Sequence, residues 1–293
     1  MEQQQRISQK WTIKDILEWT TAFFKKRGIR TARLDAEVLL AFCLSVDRLF
    51  LYLNFERPLS PSERMNYREL VRRRAMREPV SLIIGKKEFW SRTFKAVSGV
   101  LIPRPDTEIL VEATLRALAT IESPRLLEIG TGSGAISIVV ALENPAARIV
   151  ATDIDPLALD TAQENAALHG VASAITFVLG DLYAPFKEGE RFHLICSNPP
   201  YIPTEVIATL EPEIDYEPLL ALDGGPDGLN VIRRIADGAP DFLLPGGSLL
   251  MEIGPDQEMQ ARTILEQTSS FVDIRITQDL AGRPRVVTGR LSP

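Results

Sequence analysis

An apolar strand pattern, Arg125–Ile129, runs directly into Gly130-Thr131-Gly132-Ser133-Gly134 and out into the helical pattern Ala135–Glu143. Glycines between a strand and a helix let the backbone turn sharply and come close to a ligand where a side chain would intrude. The alternation continues along the chain. Strand patterns fall at Arg148–Asp153, Thr176–Leu179, Phe192–Ser197, Ser248–Ile253, Phe271–Ile276 and Arg285–Gly289, and helical ones near Asp106–Ala119, Pro156–His169, Gly228–Ala239 and Asp256–Gln267. Such a succession predicts an α/β fold, a largely parallel sheet with helices on both faces.

The first eighty residues read differently. Thr12-Ile13-Lys14-Asp15 has the form of a capping box with Asp in place of Glu, and Trp11, Ile16, Trp19 and Phe23 recur at helical spacing up to a terminating Gly28. A second helix is predicted over Ala32–Leu44, with Leu34, Val38, Leu39 and Phe42 on its apolar side. A third begins at Ser60-Pro61-Ser62-Glu63, a capping box with proline at the first helical position, and ends on Arg72-Arg73-Arg74 and Arg77. Cations at that end complement the helix dipole. Between Pro79 and Pro105 the residues Phe89, Trp90, Phe94 and Val97 around Ser98-Gly99 suggest a short β-hairpin. The expected organisation is therefore a helical domain over 1–80, a β-hairpin linker over 81–105 and an α/β domain over 106–293.

The length of 293 residues suits two unequal domains. No apolar run approaches the ~20 residues of a membrane span, and the polar, glutamine-rich Met1–Lys10 lacks the apolar segment of a secretory signal, so a cytoplasmic location is expected and no membrane partner. The two cysteines, Cys43 and Cys196, sit in apolar surroundings, as small core residues do. His169 and His193 are the only histidines, which leaves no ligand set for a His/Cys metal site. Residues 1–80 carry 16 Lys and Arg against 10 Asp and Glu, whereas 81–293 carry 17 against 29. The acidic larger part is not what a phosphate-backbone binder needs, and no direct nucleic-acid binding is expected.

The glycine loop also fits the dinucleotide pattern, through Gly130, Gly132 and Ala135. Asp153 ends the second strand of the alternation, where a carboxylate can accept hydrogen bonds from ribose hydroxyls, and Asp155 is placed to cap the helix opened by Pro156. Gly180-Asp181-Leu182 ends the third strand, a place to flank an adenine ring. Both a nicotinamide enzyme and a methyltransferase could use these features. The fourth strand separates them, because it runs into Asn198-Pro199-Pro200-Tyr201. The prolines fix their own φ and hold Asn198 and Pro199 extended. The Asn198 side-chain oxygen and the Pro199 carbonyl then form a rigid pair of acceptors for both hydrogens of an NH₂ group, with Tyr201 free to stack on a planar acceptor. An amide nitrogen, a poor nucleophile, needs such help to aim its lone pair at the sulfonium methyl of S-adenosylmethionine. No general base is required before transfer.

These motifs resemble the PrmC/HemK family of protein-(glutamine N5) methyltransferases. The resemblance extends through Pro79-Val80 with Gly85, Glu88-Phe89-Trp90, Leu101-Ile102-Pro103-Arg104-Pro105-Asp106-Thr107-Glu108, Tyr216-Glu217-Pro218, Ala221–Gly225, Asp227–Leu229, Glu252-Ile253-Gly254 and Asp279–Gly282. It covers about residues 79–289 closely. It implies a seven-stranded, Rossmann-like class I methyltransferase domain behind a small helical substrate-recognition domain. It also implies methyl transfer from S-adenosylmethionine, leaving S-adenosylhomocysteine, to the glutamine of the Gly-Gly-Gln motif in class 1 peptide release factors, without a metal. By the same resemblance Gly130, Thr131, Gly132, Ser133, Gly134, Asp153 and Asn198 contact the cofactor. Leu182, where some members carry an aromatic residue, packs on adenine. Asn198, Pro199, Pro200 and Tyr201 receive the glutamine, with Asn198, Pro199 and Tyr201 in the catalytic roles. Arg104–Glu108 forms pocket wall, or alternatively the helix entry with Asp106 as N-cap. A competing expectation is an adenine-N6 methyltransferase acting on DNA or RNA, since a flipped base offers the same two hydrogens. A nicotinamide oxidoreductase would leave Asn198–Tyr201 unexplained.

Overall fold

The computed structural model describes residues 11–293, and the glutamine-rich start, Met1–Lys10, lies outside them. The chain divides into two compact units, residues 1–85 and 86–293.

The first unit is helical: α1 (Ile13–Lys25), α2 (Ala32–Leu44), α3 (Arg48–Leu53), α4 (Pro61–Ala75) and α5 (Val80–Ile84). Both expected capping boxes form, Thr12 with Asp15 and Ser60 with Glu63. The buried face of α1 is Ile13, Ile16, Leu17, Thr20 and Phe24, one stripe round from the aromatic one expected. Trp19 is half exposed and stacks on Phe23, and Leu34 and Phe42 of α2 are exposed too. Aliphatic side chains with Phe24 and Tyr67 fill the interior of this small bundle, and Trp19 lies at its margin. Helix α3 was not expected from the sequence, being a single short run capped by Asp47. The arginines ending α4 are held by acids: Arg72 by Glu69, Arg73 by Glu78, and Arg74 by Asp35 at 2.7 Å with both side chains almost fully buried.

The second unit opens with an antiparallel hairpin, β1 (Lys86–Phe89) and β2 (Arg92–Lys95). Its turn is Trp90-Ser91, both at positive φ as a type I′ hairpin turn requires, and not Ser98-Gly99. Phe89 and Phe94 join the core of this unit, so the segment read as a linker is split: α5 belongs with the helices and the hairpin with the sheet. A 3₁₀ turn, Pro105–Thr107, leads into α6 (Glu108–Leu118). Then follow β3 (Arg125–Ile129), α7 (Ala135–Glu143), β4 (Arg148–Asp153), α8 (Pro156–Leu168), β5 (Ile175–Leu179), β6 (Phe192–Ser197) and the short α9 (Thr204–Ile207). The chain ends with α10 (Asn230–Phe242), β7 (Leu243–Glu252), α11 (Glu258–Gln267), β8 (Phe271–Gln278) and β9 (Pro284–Leu291).

The sheet has seven strands in the order β5-β4-β3-β6-β7-β9-β8, parallel up to β7 and antiparallel at β9 and β8. Strands β3 and β6 are covered on both faces and are accordingly apolar almost throughout. Helix α7 is apolar on all sides because it is buried on nearly all of them. The chain leaves β3 for one side of the sheet and returns at β6 to build the other. Their carboxyl ends therefore mark the switch point where ligands bind in open α/β sheets.

Arg74→Ala should destabilise the protein by about 3–5 kcal/mol, because Asp35 would be left buried without its partner. Arg72→Ala, which removes an exposed pair, should change stability by less than about 1 kcal/mol. Denaturant midpoints of the two variants check the contrast.

Candidate active site

The parallel register pairs Ile129 with Ser197, and the Ser197 hydroxyl donates to the Ile129 carbonyl at 2.7 Å. The residues that follow, Gly130 and Asn198, are thereby brought side by side at the switch point. Both line an open cleft of about 190 Å³.

The glycine loop is fixed from below. The Gly130 and Thr131 amides both donate to the Thr152 carbonyl at 2.8 Å, and the Gly132 amide donates to Asp153 Oδ2 at 2.8 Å. Gly130 and Gly132 lie at positive φ and line the cleft, and a Cβ on either would meet no atom within 4 Å. Gly134 differs. A Cβ there would meet Ile138 and Ala162 at 2.9 and 3.0 Å, so it permits close packing of α7 on α8 and lines no cavity wall.

Asp153 lines the cleft. Its Oδ1 accepts the Asp155 amide at 3.0 Å while Asp155 caps α8 by accepting the Leu157 amide. Each Asp153 oxygen keeps a lone pair for a further donor. Burial raises its pKa, against the lowering by the Asp155 and Gly132 amides. Leu182, Ile154, Val231 and Ile235 offer apolar surface to the same cleft, and Arg234, also in its lining, pairs with Asp181 at 2.6 Å. Leu182 adopts φ 51°, a strained left-handed conformation for a leucine that places it in the wall.

A smaller recess adjoins the cleft, lined by Thr131, Ser133, Arg104, Thr107, Glu128 and Asn198 among others. Glu128 Oε2 accepts from Thr131 Oγ1 at 2.9 Å and from the amide and hydroxyl of Ser137, while Oε1 is buried with no partner among the described residues. Burial pushes its pKa up to about 7.

In the acceptor segment, Asn198 Nδ2 donates to Thr107 Oγ1 at 3.1 Å. Among the described residues no hydrogen bond reaches Asn198 Oδ1 or the Pro199 carbonyl. Pro199 and Pro200 line the cleft. Tyr201 does not: it packs with the core beneath, and its hydroxyl donates to Glu252 Oε1 at 3.3 Å. Asp106 makes no cap and instead pairs with Arg285 at 2.9 Å, while Arg104 pairs with the buried Glu217 at 2.6 Å. Sequence reasoning passed over Glu252 and Arg234 as site residues, and placed Thr107 in the Arg104–Glu108 wall without its bond to Asn198. An acidic residue near the end of the apolar strand pattern Ser248–Ile253, at the ligand-binding edge of a sheet, was a signal for Glu252.

These residues could hold a nucleoside that bears a cationic amino group. The cleft and its recess carry two carboxyls with spare acceptors, Asp153 in the one and Glu128 in the other, with apolar side chains and glycine backbone among the lining. The orphaned Glu128 Oε1 and the open space over Gly130 and Gly132 are the features such a ligand would complete.

Two family models match the chain: the PrmC N-terminal domain over residues 15–85 and the methyltransferase small domain over 105–209. A release factor glutamine methyltransferase of Geobacter sulfurreducens is 44% identical over 284 residues, covering 96% of this chain and 97% of that protein. The chain belongs to the release factor glutamine methyltransferase family. The Moorella thermoacetica member is 42% identical, with 88% and 91% coverage. The methyltransferase fold of this family member is shared with an RNA methyltransferase of T. thermophilus, RsmC, at TM-score 0.52 and 18% identity over 70% of this chain and 49% of that one. A methyltransferase of Pyrococcus furiosus is similar at TM-score 0.50 and 17% identity, covering 68% and 89%.

The raised pKa of Glu128 has a consequence for stability in this methyltransferase. The folded state keeps the proton up to about pH 7 while the unfolded chain releases it near 4.5, so this group's contribution is fully present below 4.5 and lost as pH rises through about 7. Glu128→Gln should escape that loss. Its melting temperature relative to the parent should rise between about pH 5 and about pH 8, as calorimetry in the absence of ligand would show.

Proposed function

We propose that the protein transfers the methyl group of S-adenosylmethionine to the side-chain nitrogen, N5, of the glutamine in the Gly-Gly-Gln motif of class 1 peptide release factors. The observation that carries the reading is the pair of unsatisfied acceptors, Asn198 Oδ1 and the Pro199 carbonyl, standing beside the glycine loop while Asn198 Nδ2 is held by Thr107. A primary amide brings two N–H donors to such a pair, and holding both turns the nitrogen lone pair towards the cleft. The cofactor supplies an electrophilic methyl on a sulfonium. A bond forms between nitrogen and that carbon as the carbon–sulfur bond breaks, and the acceptors stabilise the positive charge that grows on nitrogen. The surplus proton leaves afterwards.

In this reading Asp153 takes the ribose hydroxyls, Leu182 packs on the adenine, and Gly130–Gly132 allow the backbone close to the ligand. Glu128 accepts from the cofactor's ammonium through its free oxygen. Tyr201 supports the acceptor segment from beneath, and Pro199 and Pro200 face the substrate. The helical unit is assigned to substrate docking, supported by the cationic balance of residues 1–80. Charge reversal at Arg72 should then raise KM for a whole release factor and leave a short Gly-Gly-Gln peptide unaffected. Equal KM values on the whole factor would remove the α4 arginine from docking.

The direct test incubates a release factor with the protein and isotopically labelled cofactor, then maps the label by mass spectrometry. The reading requires one labelled methyl on the Gly-Gly-Gln glutamine; a label on any other residue, or none, defeats it. Asn198→Ala should lower kcat by about 100- to 1,000-fold, the usual cost of removing a group aimed at transition-state charge. Asp153→Ala should chiefly raise KM for S-adenosylmethionine, because ribose contacts are made alike in ground and transition states.

A further inference from the structure

Its prolines leave the acceptor segment few ways of being held. Pro199 and Pro200 have no N–H to donate, and the Pro199 carbonyl has to stay free for the substrate. Asn198 is set from one side by β6, where the Ser197 hydroxyl donates to the Ile129 carbonyl, and by its own side chain on Thr107. On the other side the Tyr201 carbonyl is tied down. It accepts Gln257 Nε2 at 2.9 Å and, among the described residues, no other hydrogen bond.

Gln257 is 8% exposed, and both ends of its amide are engaged. Oε1 accepts the Gly254 amide at 2.8 Å, and Nε2 reaches the Gly228 carbonyl at 3.4 Å as well as that of Tyr201. One side chain thus joins the acceptor segment, the turn that follows β7 and the loop before α10. These partners fix the polarity of the amide, since the Gly254 N–H needs an acceptor and the two carbonyls need a donor. Gly228 lies at φ 74°, and a Cβ on it would stand 2.3 Å from the Tyr201 oxygen and 2.8 Å from Gln257 Nε2. Only glycine lets the loop close on this junction. Gln257 also occupies the N-cap position of α11 without capping the helix. A carboxylate would suit both the Gly254 amide and a helix N-terminus better than a neutral amide does. What a carboxylate could not do is donate to Tyr201 and Gly228.

We propose that Gln257 is a positioning residue for the transfer: by holding the Tyr201 carbonyl it fixes the far end of Asn198–Tyr201 and keeps the Pro199 carbonyl aligned with Asn198 Oδ1 as a pair of acceptors. This rests on the methyl-transfer reading above. The prolines narrow the backbone without fixing it. Before a proline ψ still spans about 40°, enough to swing the Pro199 oxygen by on the order of 0.7 Å. A misplacement of about 1 Å can cost about a hundredfold in rate, so the remaining freedom has to be removed from outside the segment. Gln257 is not among the residues that line the cleft or its recess, and it acts through Tyr201.

The test compares Gln257→Met and Gln257→Glu with the parent on a release factor with labelled cofactor, from mildly acid to alkaline pH, with a melting curve for each. Gln257→Met keeps the length and loses the hydrogen bonds, so kcat should fall about ten- to a hundredfold, with little change in KM for the cofactor because the glycine loop and Asp153 are untouched. In Gln257→Glu the introduced carboxyl repels the Tyr201 carbonyl when ionised and donates to it when protonated. Burial holds such a carboxyl above the usual carboxylate range, so its kcat relative to the parent should climb as the pH falls and be lowest in alkali. A side chain that served the fold alone would lower the melting temperature of both variants and leave kcat per folded molecule, and its pH dependence, like the parent's. Parent-like kcat in Gln257→Met, a Gln257→Glu ratio flat in pH, or a loss confined to KM for the cofactor would each overturn the proposal. Should Gln257→Met fail to fold, the pH dependence of Gln257→Glu decides alone. A parent that leaves the release factor unlabelled would instead overturn the methyl-transfer reading.

Discussion

Strands β3 and β6 are hydrogen-bonded neighbours although α7, β4, α8 and β5 separate them in sequence, and every feature of the cleft follows from that pairing. The parallel register sets Ile129 against Ser197, so the two turns that leave the sheet next must start at the same level and on the same edge. One turn is glycine-rich and exposes backbone; the other is proline-rich and exposes acceptors. A shift of one residue would turn every side chain of β6 to the opposite face. Phe192, Leu194, Ile195 and Cys196 are all buried, so either neighbouring register would displace a well-packed core. The core thereby fixes the relative height of Gly130 and Asn198.

Around this frame the molecule keeps two carboxyls, Glu128 and Glu252, where burial opposes their charge. Each has one oxygen in hydrogen bonds and one without a partner among the described residues. Buried polar atoms in native proteins are nearly always satisfied, and the exceptions gather where a ligand or a reaction completes the set. Glu128 lines the recess, and its Oε1 has no partner among the described residues. Glu252 Oε2 is buried without a partner behind the Tyr201 hydroxyl bond. Such an arrangement costs the free protein some stability and gives the site acceptors already dry and in place.

The sequence made the architecture legible because its strongest signals are local and periodic. The bounds Ala32–Leu44, Arg125–Ile129, Ala135–Glu143, Arg148–Asp153 and Phe192–Ser197 agree with the structure residue for residue. Capping boxes at Thr12 and Ser60 mark helix starts by chemistry that needs no tertiary partner. What escaped was decided by packing. Whether Trp19 or Leu17 of α1 faces inward depends on which other helices it meets, and both stripes are apolar. The hairpin turn at Trp90-Ser91 uses residues with no preference for positive φ, so nothing in its composition announced it. Thr107 and Glu252 reach Asn198 and Tyr201 across about ninety and fifty positions of sequence, a distance that no spacing rule spans.

Tyr201 shows that a place in a motif does not decide where a side chain goes. Four residues in a row suggest four contributions to one surface, and an aromatic ring beside a planar amide suggests stacking. The chain turns at the prolines, however, and the next residue passes beneath the site. Its hydroxyl then finds a buried carboxylate, and a tyrosine hydroxyl removed from water needs such a partner. A phenylalanine there would fill the same space and leave Glu252 Oε1 without its donor, beside an Oε2 that already lacks one. The polar end of Tyr201 is therefore what the structure uses, and the ring serves as the rigid strut between that carboxyl and the Asn-Pro-Pro turn.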